Sequence, residues 1–291
     1  MTGILLKAIA GFYYIEAGGS VYECKARGIF RKNHESPTVG DSLEFEILDD
    51  FKGVVSKILP RKNYLIRPPV ANLDQLFIVS AYDTPAPNAL LIDRLTAIAI
   101  NNNIEPIIVF NKADLGNMDN WKALYTRAGF KCIVTSGLDG DGCDEIIGML
   151  DGKISAFTGN SGVGKSSLLN RMFPDLALKT GEVSNKLGRG RHTTRHVELY
   201  PVCGGYVADT PGFSTLDIER TMPIKKEELP FVFPDFSDYL GCCRFTSCTH
   251  TVEKGCAVLE AVQNGDIEKT RIESYKTIYN EIKDIKEWEK R

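Results

Sequence analysis

The chain carries little surplus charge, no apolar run of membrane length and no leader pattern, and each absence removes a class of function. Across 291 residues, 35 Lys and Arg stand against 38 Asp and Glu, for a formal net charge of -3. Such a balance makes no global cationic field, so contact with nucleic acid would have to come from a local patch. No stretch reaches the roughly 20 apolar residues that cross a bilayer. Residues 1–10 hold a single Lys and lack the apolar core and small-residue site of a signal peptide. The expectation is a cytoplasmic protein with no membrane partner. Hydrophobic content of 43% and charged content of 25% are those of an ordinary globular chain, long enough for two or three cored domains. In a reducing compartment the eight Cys are read as thiols or metal ligands. Cys24, Cys132, Cys143 and Cys203 are scattered, mostly in apolar strand-like runs, and are expected to be small buried residues. Cys242, Cys243, Cys248 and Cys256 crowd into one short segment, which points to a metal.

What the chain does have is Gly159-Asn160-Ser161-Gly162-Val163-Gly164-Lys165-Ser166, the pattern G-x-x-x-x-G-K-S/T, followed by a second hydroxyl at Ser167. Residues 153–158 before it read as a buried strand, and residues 167–172 after it as the start of a helix. The glycines let the backbone curl so that successive N–H groups face one anion, and the helix N-terminus adds its positive dipole end. Lys165 would reach the β- and γ-phosphates, and the Ser166 hydroxyl would ligate Mg²⁺.

Before that motif lie two differently patterned regions. Residues 3–10, 12–17, 20–27, 43–48 and 53–59 are short alternating runs separated by turn residues, which predicts a five-stranded barrel of the oligonucleotide-binding type. Lys25, Arg27, Arg31 and Lys32, near His34 and with Phe30 among them, form a cationic patch that reads equally as an RNA-contacting face or as a solvated loop. After a linker at Pro68-Pro69, strands at 76–81, 106–110 and 131–135 alternate with helices at 89–101 and 121–128, the rhythm of a parallel sheet. The strand at 106–110 runs into Asn111-Lys112-Ala113-Asp114. An N-K-x-D at the end of a strand reads guanine: the Asp114 carboxylate accepts from N1–H and the exocyclic amine, which adenine does not offer. Asn111 and the Lys112 stem would hold and cover the base. Ser136-Gly137, ending the next strand, stands where a second base-contacting loop is expected. A P-loop ATPase or kinase is disfavoured by Asp114.

After the P-loop, Gly181 to His196 has no hydrophobic periodicity, and its Thr193 or Thr194 is placed to give Mg²⁺ a second hydroxyl. A strand at 205–208 then leads to Asp209-Thr210-Pro211-Gly212, where Asp209 would hold Mg²⁺ and the Gly212 N–H would sense the γ-phosphate. In an ordinary P-loop GTPase the base reader comes last; here it precedes the P-loop. The fold class expected is therefore an α/β P-loop GTPase, circularly permuted, with an N-terminal barrel. Permutation is permissible because domain termini tend to lie close together. The second switch then leads straight into the C-terminal segment, which nucleotide state is expected to move. In that segment Cys243-x4-Cys248-x-His250-x5-Cys256 offers the Cys₃His set of structural zinc, with Cys242 competing as first ligand. The helical pattern over 257–291 breaks at Asn264-Gly265-Asp266, with Asp266 expected to cap a final charged helix whose face is solvated or docks a partner. The domains are drawn at 1–66, 67–222 and 223–291.

With these motifs in this order, the chain resembles the small-ribosomal-subunit-dependent GTPase A family of bacteria over essentially its whole length. Ala71-Asn72-Leu73-Asp74-Gln75, Arg191-His192-Thr193-Thr194 and Cys256-Ala257-Val258 add to the likeness. The resemblance selects Cys243 as the first zinc ligand. It implies slow GTP hydrolysis stimulated by the small ribosomal subunit, in late maturation of that subunit, with contacts to its rRNA, exchange among assembly factors and a monomeric state. Arg195 stands where the family carries a third Thr, so Thr193 and Thr194 both stay open. Phe213 follows the second switch motif and cannot orient the attacking water as the usual Gln does. His192 is the candidate for that task, the other reading being contact with RNA or solvent. A GTP-gated RNA-binding module, in which hydrolysis only times release, is the alternative function.

Overall fold

We analysed a computed structural model, which describes residues 1–27, 30, 36–66, 68–174, 197–209 and 224–284, with Asp209 described by its backbone alone. The expectations for Arg31, Lys32, His34, His192, Thr193, Thr194, Gly212 and Phe213, and for the Asp209 carboxylate, lie outside the described residues.

Alternating residues build the barrel as expected. β1 (Thr2–Ile9), β2 (Phe12–Ala17), β3 (Ser20–Ala26), β4 (Ser42–Asp49) and β5 (Lys52–Ile58) pair in the order 1-2-3-5-4, and β4 returns to β1 to close the ring. Only β3 and β5 run parallel among these pairs. Inward residues Leu5, Ile15, Cys24, Phe30, Leu43, Phe45 and Val55 fill the interior. Phe30 therefore belongs to the barrel core and is not the exposed stacking ring of the cationic patch. Its apolar ring gains more from burial than from solvent.

The Pro68-Pro69 stretch is not a bare linker. β6 (Tyr64–Ile66) and β7 (Pro69–Ala71) form a hairpin whose Leu65 and Val70 are buried. Pro69 takes the first strand position, where a missing N–H is tolerated. The parallel sheet follows: β8 (Gln75–Ala81), α1 (Ala89–Asn101), β9 (Glu105–Asn111), α2 (Asp119–Arg127), β10 (Lys131–Val134), α3 (Cys143–Ile147), β11 (Ile154–Thr158), α4 (Lys165–Met172), β12 (Glu198–Val202) and β13 (Gly205–Asp209). Its order is β10-β9-β8-β11-β13-β12, with only β12 antiparallel to its neighbour. β8 is buried at every residue, as a strand covered on both faces must be. β12, with Pro201 inside it, escaped the sequence pattern. Its Glu198 pairs in register with Lys7 of β1, and the two side chains form an ion pair at 2.9 Å, so barrel and parallel sheet are one continuous hydrogen-bonded surface.

The C-terminal region is more apolar than its sequence suggested. Leu229, Val232, Phe233 and Phe236, with Ile272, Tyr275 and Ile278, join Leu76 and Ile78 of the sheet in the largest core cluster. α5 (Ala257–Asn264) ends on Gly265 at φ 85, and α6 (Lys269–Ile282) follows. α6 is no solvated face: Arg271, Ile272, Ser274, Tyr275 and Ile278 are buried. Nor does Asp266 cap it, since the N-cap is Glu268. Of the scattered thiols, Cys24, Cys132 and Cys143 are buried, but Cys203 is exposed in the turn between β12 and β13. A β-turn leaves its side chains no core to enter.

At the seam between barrel and sheet, Gly40 has φ +89, and a Cβ there would sit 2.1 Å from the Ala71 carbonyl oxygen. Gly40→Ala should lower the urea unfolding midpoint, with a loss of about 1–3 kcal/mol.

Candidate nucleotide and metal sites

β11 delivers the chain into the loop 159–164 at the centre of the sheet. Gly159, Gly162 and Gly164 have φ of 144, 85 and 90, a run of left-handed and extended backbone that side chains disfavour. The approach is also tight: a Cβ on Gly159 would meet the Val79 oxygen at 2.2 Å, and one on Gly164 would meet Asn111 Nδ2 at 2.5 Å. α4 starts at Lys165, directly after Gly164, so the helix N-terminus faces the loop's concavity. The Lys165 ammonium donates to the carbonyls of Gly159 (2.6 Å) and Asn160 (2.8 Å). Burial pulls its pKa below the ordinary lysine value. Val163 is buried, while Ser161, Gly162 and Ser167 lie at the surface.

The base-reading loop is tied to this one. Asn111 ends β9, is 1% exposed, and donates from Nδ2 to the Val163 carbonyl at 2.9 Å. Its Oδ1 accepts from Thr135 Oγ1 (3.0 Å) and from the Gly137 N–H (3.1 Å). The residue expected to hold the base thus also joins three loops. Ala113 and Asp114 open a 3-10 turn, with Lys112 before it at φ 62. Ser136 Oγ donates to Asp114 Oδ1 at 2.9 Å and fixes the rotamer of the exposed carboxylate. Gly137 lies against the first turn of α4, where a Cβ would be 3.3 Å from the Leu168 nitrogen. The structure therefore brings Asn111, Lys112, Ala113, Asp114, Ser136, Gly137 and residues 159–167 to the carboxyl ends of adjacent parallel strands, where ligands of open α/β sheets bind.

Sequence reasoning missed one wall. The loop 82–88, between β8 and α1, accepts from the Lys112 ammonium through the carbonyls of Thr84 (3.2 Å) and Asp83 (3.4 Å). Backbone carbonyls carry no residue-type signal, so no motif could have announced them.

A second constellation lies in the C-terminal region. Cys243, Cys248, His250 and Cys256 bring their ligand atoms within 4.8 Å of one another. Cys243 Sγ stands 3.8 Å from Cys256 Sγ and 3.5 Å from His250 Nδ1, and His250 Nδ1 stands 3.4 Å from Cys256 Sγ. Thiolates about 2.3 Å and an imidazole nitrogen about 2.0–2.1 Å from one tetrahedral ion would stand about 3.8 Å and about 3.5 Å apart. The spacing fits zinc. Cys242, the competitor, is exposed and turns its Sγ to the Asp238 carbonyl. Cys256 is the N-cap of α5, and the Ala257 N–H donates to Cys243 Sγ at 3.4 Å. Burial lowers the His250 pKa, keeping the imidazole in its ligand form. Burial also pushes the Cys248 thiol up to about 12, a cost that a coordinated cation reverses. The knot is shaped by Glu253, which accepts from the N–H groups of Thr249, Thr251 and Val252. Burial raises its carboxyl, but the bond from the Thr249 hydroxyl and those from the Thr249 and Val252 N–H groups outweigh it and hold the pKa down to about 2.

On the barrel, Lys25 Nζ lies 5.0 Å over the Phe12 ring, and Arg27 pairs with Glu46 at 2.8 Å. Phe12, Lys25 and Arg27 line an open cavity together with Tyr13, Ser36 and Pro37.

Sheet order, phosphate loop and guanine-reading loop define a circularly permuted P-loop GTPase. Comparison with known proteins narrows the class. A family model described as RsgA GTPase matches residues 58–219, and one described as RsgA N-terminal domain matches residues 2–55. The chain is 46% identical to a "Small ribosomal subunit biogenesis GTPase RsgA" of Caldanaerobacter subterraneus, over 98% of this chain and 96% of the relative. It is 41% identical to the protein of that name from Streptococcus pneumoniae, over 99% of this chain and 96% of the relative. Among solved structures, "The crystal structure of YloQ, a circularly permuted GTPase" matches with a TM-score of 0.82 at 36% identity, covering 98% of this chain and 96% of the other. YjeQ from Thermotoga maritima matches with a TM-score of 0.81 at 34% identity, covering 98% and 99%. The chain belongs to the RsgA family and is a GTP-hydrolysing enzyme.

Metal analysis of purified protein checks the knot. One equivalent of zinc is expected in the parent and in Cys242→Ser, and its loss in Cys243→Ser, with a chelator lowering the Tm of the parent.

Proposed function

We propose that this enzyme hydrolyses GTP slowly, that the small ribosomal subunit stimulates it, and that it acts in late maturation of that subunit. The observation that carries the reading is the buried Asn111 amide, which couples a guanine-reading carboxylate to a phosphate cradle. The names of the relatives supply the partner. In this reading Asp114 selects guanine, Asn111 and the Lys112 stem hold and cover the base, and Ala113, Ser136 and Gly137 complete its pocket. The amides of residues 159–167 and of Gly212 hold the phosphates. Lys165 neutralises charge that develops on the transferring phosphoryl group. Ser166, Asp209 and Thr194 (or Thr193) would hold Mg²⁺, which would supply positive charge to offset that of the phosphates. His192 orients the attacking water, since the residue directly after the second switch motif is the apolar Phe213.

Structural zinc on Cys243, Cys248, His250 and Cys256 is part of the same proposal, as is the division at 1–66, 67–222 and 223–291. The barrel cavity with Lys25 and Arg27 supports a local rRNA contact through phosphates, in a chain without a global basic field. Ribosome assembly factors as further partners, action as a monomer and a cytoplasmic location complete it.

Turnover by purified protein alone, with small subunits and with large subunits, tests the reading. Stimulation on the order of tenfold or more by the small subunit alone is expected. No stimulation, or equal stimulation by both, would remove the partner. His192→Ala should lower stimulated kcat by about a hundredfold with little change in KM. Full turnover would take that residue out of the mechanism.

A further inference from the structure

Among the described residues, Arg271 is the one Lys or Arg that is buried, at 1% exposure, and neither site above uses it. Its Nε and Nη2 donate to the two carboxylate oxygens of Asp235 at 3.0 and 2.8 Å, and its Nη1 donates to Asp93, itself 1% exposed. The guanidinium lies 4.6 Å from the Phe233 ring centroid and 5.2 Å from that of Phe130. Burial by itself lowers its pKa, but Asp93 and Asp235 outweigh that and hold it above the ordinary arginine value. Such a cluster is a poor staple, because desolvation costs about as much as the attraction returns and apolar residues often do as well. What ion clusters in a core supply better than apolar side chains is a fixed register.

The register here belongs to α1. Asp93 lies in its second turn, just beyond Asn88, whose Oδ1 caps the helix by accepting from the Leu91 N–H at 3.1 Å. Leu91, Ile92 and Leu95 of α1 line one side of a narrow cleft, and Gly159, Asn160 and Val163 of the phosphate loop line the other. The loop that enters α1 seats Lys112 on the Asp83 and Thr84 carbonyls. It also abuts Gly162, where a Cβ would lie 3.4 Å from the Thr84 oxygen and 3.6 Å from Pro85 Cδ. The loop that leads into α1 is therefore in contact with both nucleotide loops, while the second turn of α1 is held by the last described helix. An exposed pair, Arg94 with Glu281 at 2.8 Å, ties the same two helices but is screened by solvent.

We propose that Arg271 is a positioning residue for the nucleotide site: by fixing α1 through Asp93 it sets loop 82–88, and so the seats of Lys112 and the phosphate loop. Residence of GDP then depends on a side chain of the C-terminal helix, which makes that helix a point from which a partner can change nucleotide exchange. The inference rests on the nucleotide site assigned above.

The test is displacement of N-methylanthraniloyl-GDP from the zinc-loaded full chain, comparing the parent with Asp93→Asn and Arg271→Met. Asp93→Asn keeps the side-chain shape and leaves Arg271 paired to Asp235, so it decides the matter alone if Arg271→Met does not fold. The GDP off-rate should rise at least about threefold, with faster hydrogen exchange in peptides covering 82–88 and an unchanged zinc content. A lower urea midpoint with an off-rate within about twofold of the parent would make the cluster merely structural and overturn the proposal. Failure of the parent to bind the labelled nucleotide, or equal binding by Asp114→Ala, would instead sink the site assignment itself.

Discussion

Asn111 stands at the carboxyl end of β9 with both ends of its amide engaged, donating to Val163 of the phosphate loop and accepting from Thr135 and Gly137. A buried amide cannot lose one of these partners cheaply, because an unsatisfied polar group in the interior costs about 1–3 kcal/mol. The three loops therefore keep one relative geometry. Lys112 and Asp114 inherit their positions from that tie, since they follow Asn111 within three residues. Ser136 inherits its position from the same tie, and returns a bond to Asp114. Asn111 thus acts as the scaffold that holds these three loops together.

Permutation leaves this geometry intact because a sheet is held by neighbours in space. β11 is paired with β8 on one side and β13 on the other, although the chain visits β8, β9 and β10 first. What the rearranged order changes is the traffic at the edges. The barrel is joined to the far edge through Lys7 and Glu198, and the C-terminal region folds back to cover α1 and the face of the sheet bearing Leu76 and Ile78. Both flanking regions thus touch the nucleotide fold through hydrogen bonds and packed apolar surface, which transmit displacement where a flexible tether would absorb it.

The Cys₃His knot is one of two devices that shape the C-terminal region. Phe233, Phe236 and Tyr275 form a packed aromatic group, with ring centroids 5.0–5.3 Å apart, directly beneath the knot, and the Tyr275 hydroxyl donates to the Thr249 carbonyl. A metal on these four ligands would order the turn 243–256, and the aromatic group anchors that turn to the sheet.

Much of this was legible in the residues. The five barrel strands, the three parallel strands before the P-loop and the helix over Ala89–Asn101 follow from hydrophobic period. The phosphate, guanine and zinc motifs follow from residue type at fixed spacing. Period and spacing are local, and they report what a few consecutive residues can do. Tertiary structure alone decided that Phe30 points inward, that Pro69 begins a strand, and that Arg271 is enclosed by two carboxylates from distant segments. It also chose Cys243 over Cys242 by geometry and seated Lys112 on backbone carbonyls. Each of those outcomes depends on which surface a residue meets after the chain has closed on itself, and on groups, such as peptide carbonyls, that every residue has.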